Sequence, residues 1–315
     1  MKKSIGLKIK RIPILIGFYS GLRCGEVGAE RAGWKNIFSC DIQPTCADVF
    51  FQHNDEGLYL VADATQLTGK NVYEYIVENG QGELIMDGID CVLSTSSCKA
   101  ISRSNNYDMS LSPDAYCFVD QLRLIDEIHP ATFVIENVDG VDDVKNRWLM
   151  AEFEMRLRSM KDYIVISAVL DASEYGARQI RKRLIVIGVR KDLDIMPSFP
   201  APSVPDYSKV SFKALFPYLD GFASGQSVKR YKSSDTQMFV TLTAHDDTWT
   251  FENGNRRQFR SAERLKLVEM EHYCLDHLPI VWQKSLPGNA LPPSLAKAIF
   301  GHLKDEVLYK SPTWK

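Results

Sequence analysis

Little in this chain is extreme, and each absence removes a class of protein. No apolar run approaches membrane-spanning length, and Met1-Lys2-Lys3-Ser4 leads into Lys8, Lys10 and Arg11 rather than into the apolar core of a signal peptide. The expectation is a cytoplasmic protein with no membrane partner. Net charge is nearly absent: 38 Lys and Arg against 40 Asp and Glu leave a formal −2, so any grip on phosphates must come from local patches. The seven cysteines, an odd number at 24, 40, 46, 91, 98, 117 and 274, include no Cys-x-x-Cys pair, which argues against a disulfide framework and against a zinc site. Free thiols and no metal are expected. The glycine-rich turn that admits a dinucleotide pyrophosphate is also missing, because Gly21-Leu22-Arg23-Cys24-Gly25 is not Gly-x-Gly-x-x-Gly.

What is present is a core-forming chain of 315 residues, 45% of them hydrophobic, enough for one large domain with or without a small one. Short apolar or β-branched runs predict strands at 14–18, 37–41, 58–62, 91–94, 133–136, 164–169 and 184–189. Amphipathic stretches predict helices at 26–32, 72–78, 115–128 and 146–160. This alternation builds a parallel sheet with helices on both faces, and right-handed crossovers gather the strand carboxyl ends on one edge. Asp41, Asp63, Cys98 and Glu136 all end or follow strands, so that edge is the predicted site.

After Val189 the character changes. Pro197, Pro200, Pro202 and Pro205 mark a stiff exit from the first domain, expected over 1–190. A small, mostly irregular or β unit is expected over 191–255, with clusters such as Met238-Phe239-Val240-Thr241. Its tetrapeptide Lys229-Arg230-Tyr231-Lys232 suits phosphate contact and stacking, although a solvated loop reads equally well. A C-terminal segment over 256–315 resumes a helical pattern from Ser261, and its last helix, after Pro292-Pro293, is expected to return to the first domain.

Taken singly, the chemical residues are ambiguous. A cysteine at a strand end is usually a small hydrophobe, a carboxylate followed by Asn is usually a cap, and Arg181 and Arg183 flanking Lys182 read as surface charge. Their order along the chain is what carries information. Phe18-Tyr19-Ser20-Gly21, Glu30-Arg31-Ala32-Gly33-Trp34, Asp41-Ile42, Asp63-Ala64, Ser97-Cys98, Glu136-Asn137-Val138, Tyr175-Gly176 through Gln179-Ile180-Arg181-Lys182-Arg183, Arg257 through Glu263, and Gly288-Asn289-Ala290 follow one another across nearly the whole chain. That series resembles the DNA cytosine-5 methyltransferases.

The resemblance implies a Rossmann-like, S-adenosylmethionine-dependent α/β sheet plus a small target-recognition domain. It also implies that Cys98 is the nucleophile, adding to carbon 6 of a cytosine rotated out of duplex DNA, with Glu136 at ring N3 and Arg183 at O2. Arg181 would support the nucleophile loop or a phosphate. Segment 102–113 would be a lid. Cofactor contacts fall to Tyr19, Ser20, Gly21, Asp41 at the ribose hydroxyls, Ile42 on the adenine face, Asp63 at the adenine amino group, Ala64, and the Gly-Asn turn with Asn289 and Ala290. The partner implied is double-stranded DNA, gripped by a monomer, with a cognate restriction endonuclease in the same system. Departures from the family's pattern lie at Arg23-Cys24, Ser97, Lys99 and Arg178. They keep open a catalytically weak DNA-binding relative, a transfer-RNA cytosine-5 methyltransferase, and transfer of an altered group with Arg23 and Lys99 as anion partners.

Overall fold

The computed structural model describes residues 11–97, 112–140, 144–204, 209–224, 230–233, 235–244 and 248–314. Cys98, Lys99, Lys229 and positions 102–111 of the expected lid lie outside the described residues. The described remainder of that segment, Ser112 and Pro113, starts a helix instead: the Ser112 hydroxyl accepts the Ala115 N–H at 3.1 Å, and Pro113 is its first residue.

In chain order the first unit contains β1 (Ile14–Phe18), α1 (Cys24–Arg31), β2 (Lys35–Asp41), α2 (Pro44–Gln52), β3 (Leu58–Val61), α3 (Gly69–Glu78), β4 (Cys91–Ser94), α4 (Pro113–Ile128), β5 (Thr132–Val138), α5 (Arg147–Ser159), β6 (Tyr163–Asp171) and β7 (Lys182–Arg190). The strands form one seven-stranded sheet in the order β3-β2-β1-β4-β5-β7-β6. All five residues of β1 are buried, as a strand covered on both faces requires. Alternate residues feed opposite faces: Leu15, Leu93 and Val134 pack with Leu295 and Phe300, whereas Ile16, Val92 and Phe133 pack with Val72, Phe118 and Phe153.

One strand departs from the parallel expectation. β7 pairs antiparallel with both β5 and β6, because the link Ala172–Arg181 holds only a single 3-10 turn and no crossover helix. The start of β7, rather than its end, therefore lies at the edge where the other strands finish, and that brings Arg183 beside Val138 in the register. A second difference is α2, which was not expected; Pro44 opens it and Cys46, Ala47, Val49 and Phe50 bury its inner face.

The second unit follows, with α6 (Phe212–Leu215), β8 (Gly221–Ser224), β9 (Arg230–Lys232), β10 (Thr248–Glu252) and β11 (Asn255–Gln258). These strands form an antiparallel sheet in the order β11-β10-β8-β9. Asn253 and Gly254 join β10 to β11 with φ of 52° and 76°, a pair of left-handed residues suited to a tight hairpin. The boundary expected at residue 255 thus falls at the first residue of β11, inside this hairpin. Phe212, Phe216, Phe222, Phe239 and Phe259 share one core with Leu22, Val27 and Phe50, so the sheet is seated on α1 and α2.

Three α-helices follow, α7 (Ser261–Leu267), α8 (Ile280–Asn289) and α9 (Pro293–His302), and a π-helical turn at Leu303–Val307 and a 3-10 turn at Leu308–Lys310 continue from the last. α9 packs on α1 at Gly28, where an added Cβ would meet Ala296 Cβ at 2.4 Å and the Pro293 carbonyl oxygen at 2.5 Å. Trp34 donates its indole N–H to the Phe300 carbonyl at 2.8 Å, fixing the same helix from its far end. No helix among the described residues is long and apolar enough to cross a membrane.

Candidate active site and cofactor cradle

Glu136 lies two residues before the end of β5, and Arg183 near the start of β7. Their side chains meet with Arg183 Nε 2.8 Å from Glu136 Oε1, each about 7% exposed. Burial pushes the Glu136 carboxyl above its ordinary range, with Arg183 and Arg181 pulling the other way. A proton is therefore more readily held there than on a surface glutamate.

The next residue, Asn137, donates its side-chain amide to the Ser96 carbonyl at 3.1 Å while its own oxygen accepts the Val138 N–H at 2.9 Å. It is 1% exposed. This clamp fixes the backbone just before Ser97 and Cys98. Thr95 secures the same loop from the other side, its hydroxyl donating to the Tyr19 carbonyl at 2.9 Å and its N–H to the Phe18 carbonyl at 3.2 Å. The motif containing Asn137 was visible in the sequence, but its clamping role depends on a tertiary contact 41 residues away.

Arg181 is fully enclosed by the fold. It is 1% exposed, and its two terminal nitrogens donate to the carbonyls of Leu242 and Gly288, each at 2.8 Å. A phosphate contact is out of reach for a guanidinium so enclosed, and the side chain ties the second unit and α8 to the sheet edge where Arg183 meets Glu136. Gln179 strengthens that tie, accepting the Leu242 N–H at 2.8 Å and donating to the Leu267 carbonyl at 3.3 Å.

The loop after β1 alternates left-handed residues, Tyr19 at φ 57°, Gly21 at 50° and Arg23 at 57°. Such backbone is costly for Tyr and Arg, and it is held by the Ser20 N–H donating to the Cys40 carbonyl at 3.0 Å and the Arg23 N–H to the Ser20 carbonyl at 2.7 Å. Asp41 uses one oxygen to accept Gly21 N–H at 2.8 Å and the other to accept Gln43 N–H at 2.9 Å, leaving a further lone pair on each. Burial raises its pKa and these backbone bonds oppose the shift. Ile42 is 55% exposed beside it, an apolar surface available to a flat ring. Asp63 Oδ1 accepts both the N–H and the hydroxyl of Thr65, at 3.0 and 2.8 Å, and its second oxygen has no partner among the described residues. Two carboxylates, an exposed apolar side chain and a twisted loop suit a nucleoside with a charged tail. Ser20 and Ala64 are buried in this cradle. Asn289 and Ala290 close α8 rather than forming a free Gly-Asn turn: Asn289 is its last helical residue and Ala290 its cap.

Arg23 does not project into the cradle. Its guanidinium is 2% exposed, sits 2.7 Å from Glu30 and 2.9 Å from Asp55, donates to Ser39 Oγ at 3.3 Å, and lies over the Phe50 ring. Burial alone would lower its pKa, but Glu30, Glu26 and Asp55 hold it above the ordinary value. An anion-binding role for Arg23 is thereby overturned, since its charge is already matched inside the fold. Arg178, another departure, donates to the Lys266 carbonyl at 2.7 Å and pairs with Glu271.

Glu26, which the motif reading passed over, lies on α1 with its carboxyl pressed over Gly17, where an added Cβ would meet Oε1 at 2.1 Å and Ser20 Oγ at 3.0 Å. Burial pushes it up to about 7 against the pull of Arg23. A lone acid on the apolar face of a predicted helix was the available signal.

A seven-stranded α/β sheet with one reversed strand, acids ending β2 and β5 and a strained loop after β1 defines the class: a Rossmann-like methyltransferase fold. Comparison agrees. A prophage-encoded protein of E. coli, named for DNA modification methyltransferase activity, superposes with TM-score 0.68 at 17% identity, covering 93% of this chain and 99% of that one. The model of the C-5 cytosine-specific DNA methylase family matches residues 15–270. The chain belongs to that family. Type II methyltransferase M1.HphI of Haemophilus parahaemolyticus is 25% identical over 197 residues, 62% of this chain and 50% of its own length. Type II methyltransferase M.FnuDI of Fusobacterium nucleatum is 24% identical over 226 residues, 70% of this chain and 60% of its own. The chain thus spans about half the length of the curated relatives it matches.

Proposed function

We propose that the protein transfers a methyl group from S-adenosylmethionine to carbon 5 of cytosine in duplex DNA. The observation that carries this reading is the buried Glu136–Arg183 pair standing beside the clamped strand end that leads into Cys98. Carbon 5 of cytosine is a weak nucleophile. A Cys98 thiolate adding at carbon 6 turns the ring into an enamine, and the proton held at Glu136 balances the charge that develops at N3. Arg183 keeps that carboxyl oriented and offers its remaining N–H groups to O2. The bound cofactor supplies the electrophilic methyl; Asp41 and Asp63 orient its nucleoside, and Ile42 covers the adenine. Loss of the proton from carbon 5 then expels the Cys98 sulfur, restoring the thiolate and leaving 5-methylcytosine. Because carbon 6 is inaccessible within a stack, the base must leave the helix first.

Relatives named as type II methyltransferases support duplex DNA as substrate, and a cognate endonuclease as companion. The test is incubation with methyl-labelled S-adenosylmethionine and duplex DNA. Label on cytosine with the wild type and none with Cys98→Ser is expected, together with a covalent adduct on 5-fluorocytosine DNA. Unlabelled cytosine with the wild type, on substrates covering all short sequence contexts, overturns the reading.

A further inference from the structure

The loop between β1 and α1 takes a course that its residues do not favour. Tyr19 and Arg23 both hold left-handed backbone, each at φ 57°, a conformation whose cost the surrounding fold must offset. Arg23 is also the N-cap of α1, yet it gives that helix no side-chain hydrogen bond. Neither backbone ease nor helix capping accounts for an arginine at this position.

Its side chain does. The guanidinium, 2% exposed, reaches Glu30 of α1 at 2.7 Å, Asp55 in the link from α2 to β3 at 2.9 Å, and Ser39 Oγ of β2 at 3.3 Å, and it lies over the Phe50 ring of α2. Asp55 is itself fixed, since it accepts the Tyr273 hydroxyl. Ser39 lies on β2, two residues before Asp41, and the loop meets that same strand end twice more. Ser20 N–H donates to the Cys40 carbonyl at 3.0 Å, and Gly21 N–H to Asp41 Oδ2 at 2.8 Å. A buried planar fork paired to two acids has little freedom to turn, so it fixes the backbone that carries it.

We propose that Arg23 is a positioning residue for the cofactor. It holds loop 19–23 in the strained course that sets Gly21 against Asp41, so the ordering cost falls on folding rather than on binding. The inference rests on S-adenosylmethionine as the ligand of this cradle, the reading given above. If loosening Arg23 leaves the binding-competent loop about one-tenth populated, cofactor affinity falls about tenfold, whereas a residue that only stabilises the fold leaves affinity unchanged.

The test is isothermal titration of S-adenosylhomocysteine into the full chain, with the melting temperature measured beside it. Asp55→Asn keeps the shape and an acceptor for Tyr273 but removes one charge facing Arg23; a Kd about threefold to fivefold weaker is expected. Arg23→Lys has no fork to span both acids and Ser39, and is expected to weaken binding about tenfold. In methyl transfer the same variants are expected to raise KM for S-adenosylmethionine by matching factors, with kcat at saturating cofactor and duplex affinity within about twofold of the wild type. An unchanged Kd in both variants, whatever their melting temperatures, overturns the proposal and leaves Arg23 a stabilising residue. So does a fall in kcat while Kd holds. The expected order of Kd values in a protein that transfers no methyl group supports the positioning role and removes the enzymatic reading. A wild type that takes up no S-adenosylhomocysteine overturns both.

Discussion

Arg183 reaches Glu136 across a pair of antiparallel strands, Nε to Oε1 at 2.8 Å, and neither side chain is more than 7% exposed. The contact exists because β7 runs against β5, so that one strand's beginning meets the other's end. Removing one partner leaves a buried charge uncompensated, which costs about 3–5 kcal/mol. Arg183→Ala is therefore expected to lower stability by that order and to abolish methyl transfer. Glu136→Gln keeps the shape and removes the exchangeable proton; it is expected to fold, while kcat falls at least a hundredfold. Urea denaturation beside a single-turnover assay separates the two effects, and a Glu136→Gln protein with undiminished kcat removes Glu136 from the proton step.

The strands were largely legible: the expected 14–18 and 91–94 are the observed β1 and β4, because short β-branched and apolar runs bounded by polar residues have one economical solution in a doubly covered sheet. Strand direction was not legible. Hydrophobic pattern is the same read up or down, and only the shortness of the link before β7 hinted at reversal. The Arg23 side chain was misjudged for a related reason. Bulk in a glycine-type loop reads as an obstruction, but its φ of 57° sends the side chain inward to Glu30 and Asp55, acids with no sequence signature connecting them to it. Glu136 and Arg183 were brought together only by motif order, since 47 positions of sequence separate them and no periodicity spans that gap.

Glu26 links the loop after β1 to solution pH. Its pKa rises from the ordinary 4.5 to about 7 in the fold, so the folded state binds the proton more tightly than the unfolded chain. Its contribution is fully present below about pH 4.5 and is lost as pH rises through about 7. Glu26→Gln removes the titration. The variant is expected to match the wild type at pH 5 within about 0.5 kcal/mol and to exceed it by about 2–3 kcal/mol at pH 8. Denaturant midpoints measured at both pH values decide it; a variant less stable at pH 8 shows that the charged carboxylate is the favoured form.

Gly28 lets α9 lie directly on α1. A Cβ there would approach Ala296 Cβ to 2.4 Å and the Pro293 oxygen to 2.5 Å, distances that rigid helix backbone cannot relieve by rotamer change. Gly28→Ala, elsewhere a stabilising change in a helix, is expected to destabilise by about 1–3 kcal/mol. A raised melting temperature in Gly28→Ala contradicts this packing.

Arg181 governs how the second unit is held. It donates at 2.8 Å to the Leu242 and Gly288 carbonyls, and Gln179 accepts the Leu242 N–H, so segment 242–244 is pinned over α8. The approach is close enough that a Cβ on Gly288 would meet Ala244 N at 2.4 Å and the Thr243 carbonyl carbon at 2.5 Å. Arg181→Met fills similar volume but leaves two buried carbonyls without these donors, a loss of about 1–3 kcal/mol each. Gly288→Ala forces the same segment away without touching Arg181. Both variants are expected to melt at lower temperature and to be cut faster by protease between residues 205 and 247, while the Gly28→Ala protein, destabilised elsewhere, shows no such local acceleration at matched stability. Uniform proteolysis across the three variants dissolves the tie and returns Arg181 to a purely local role.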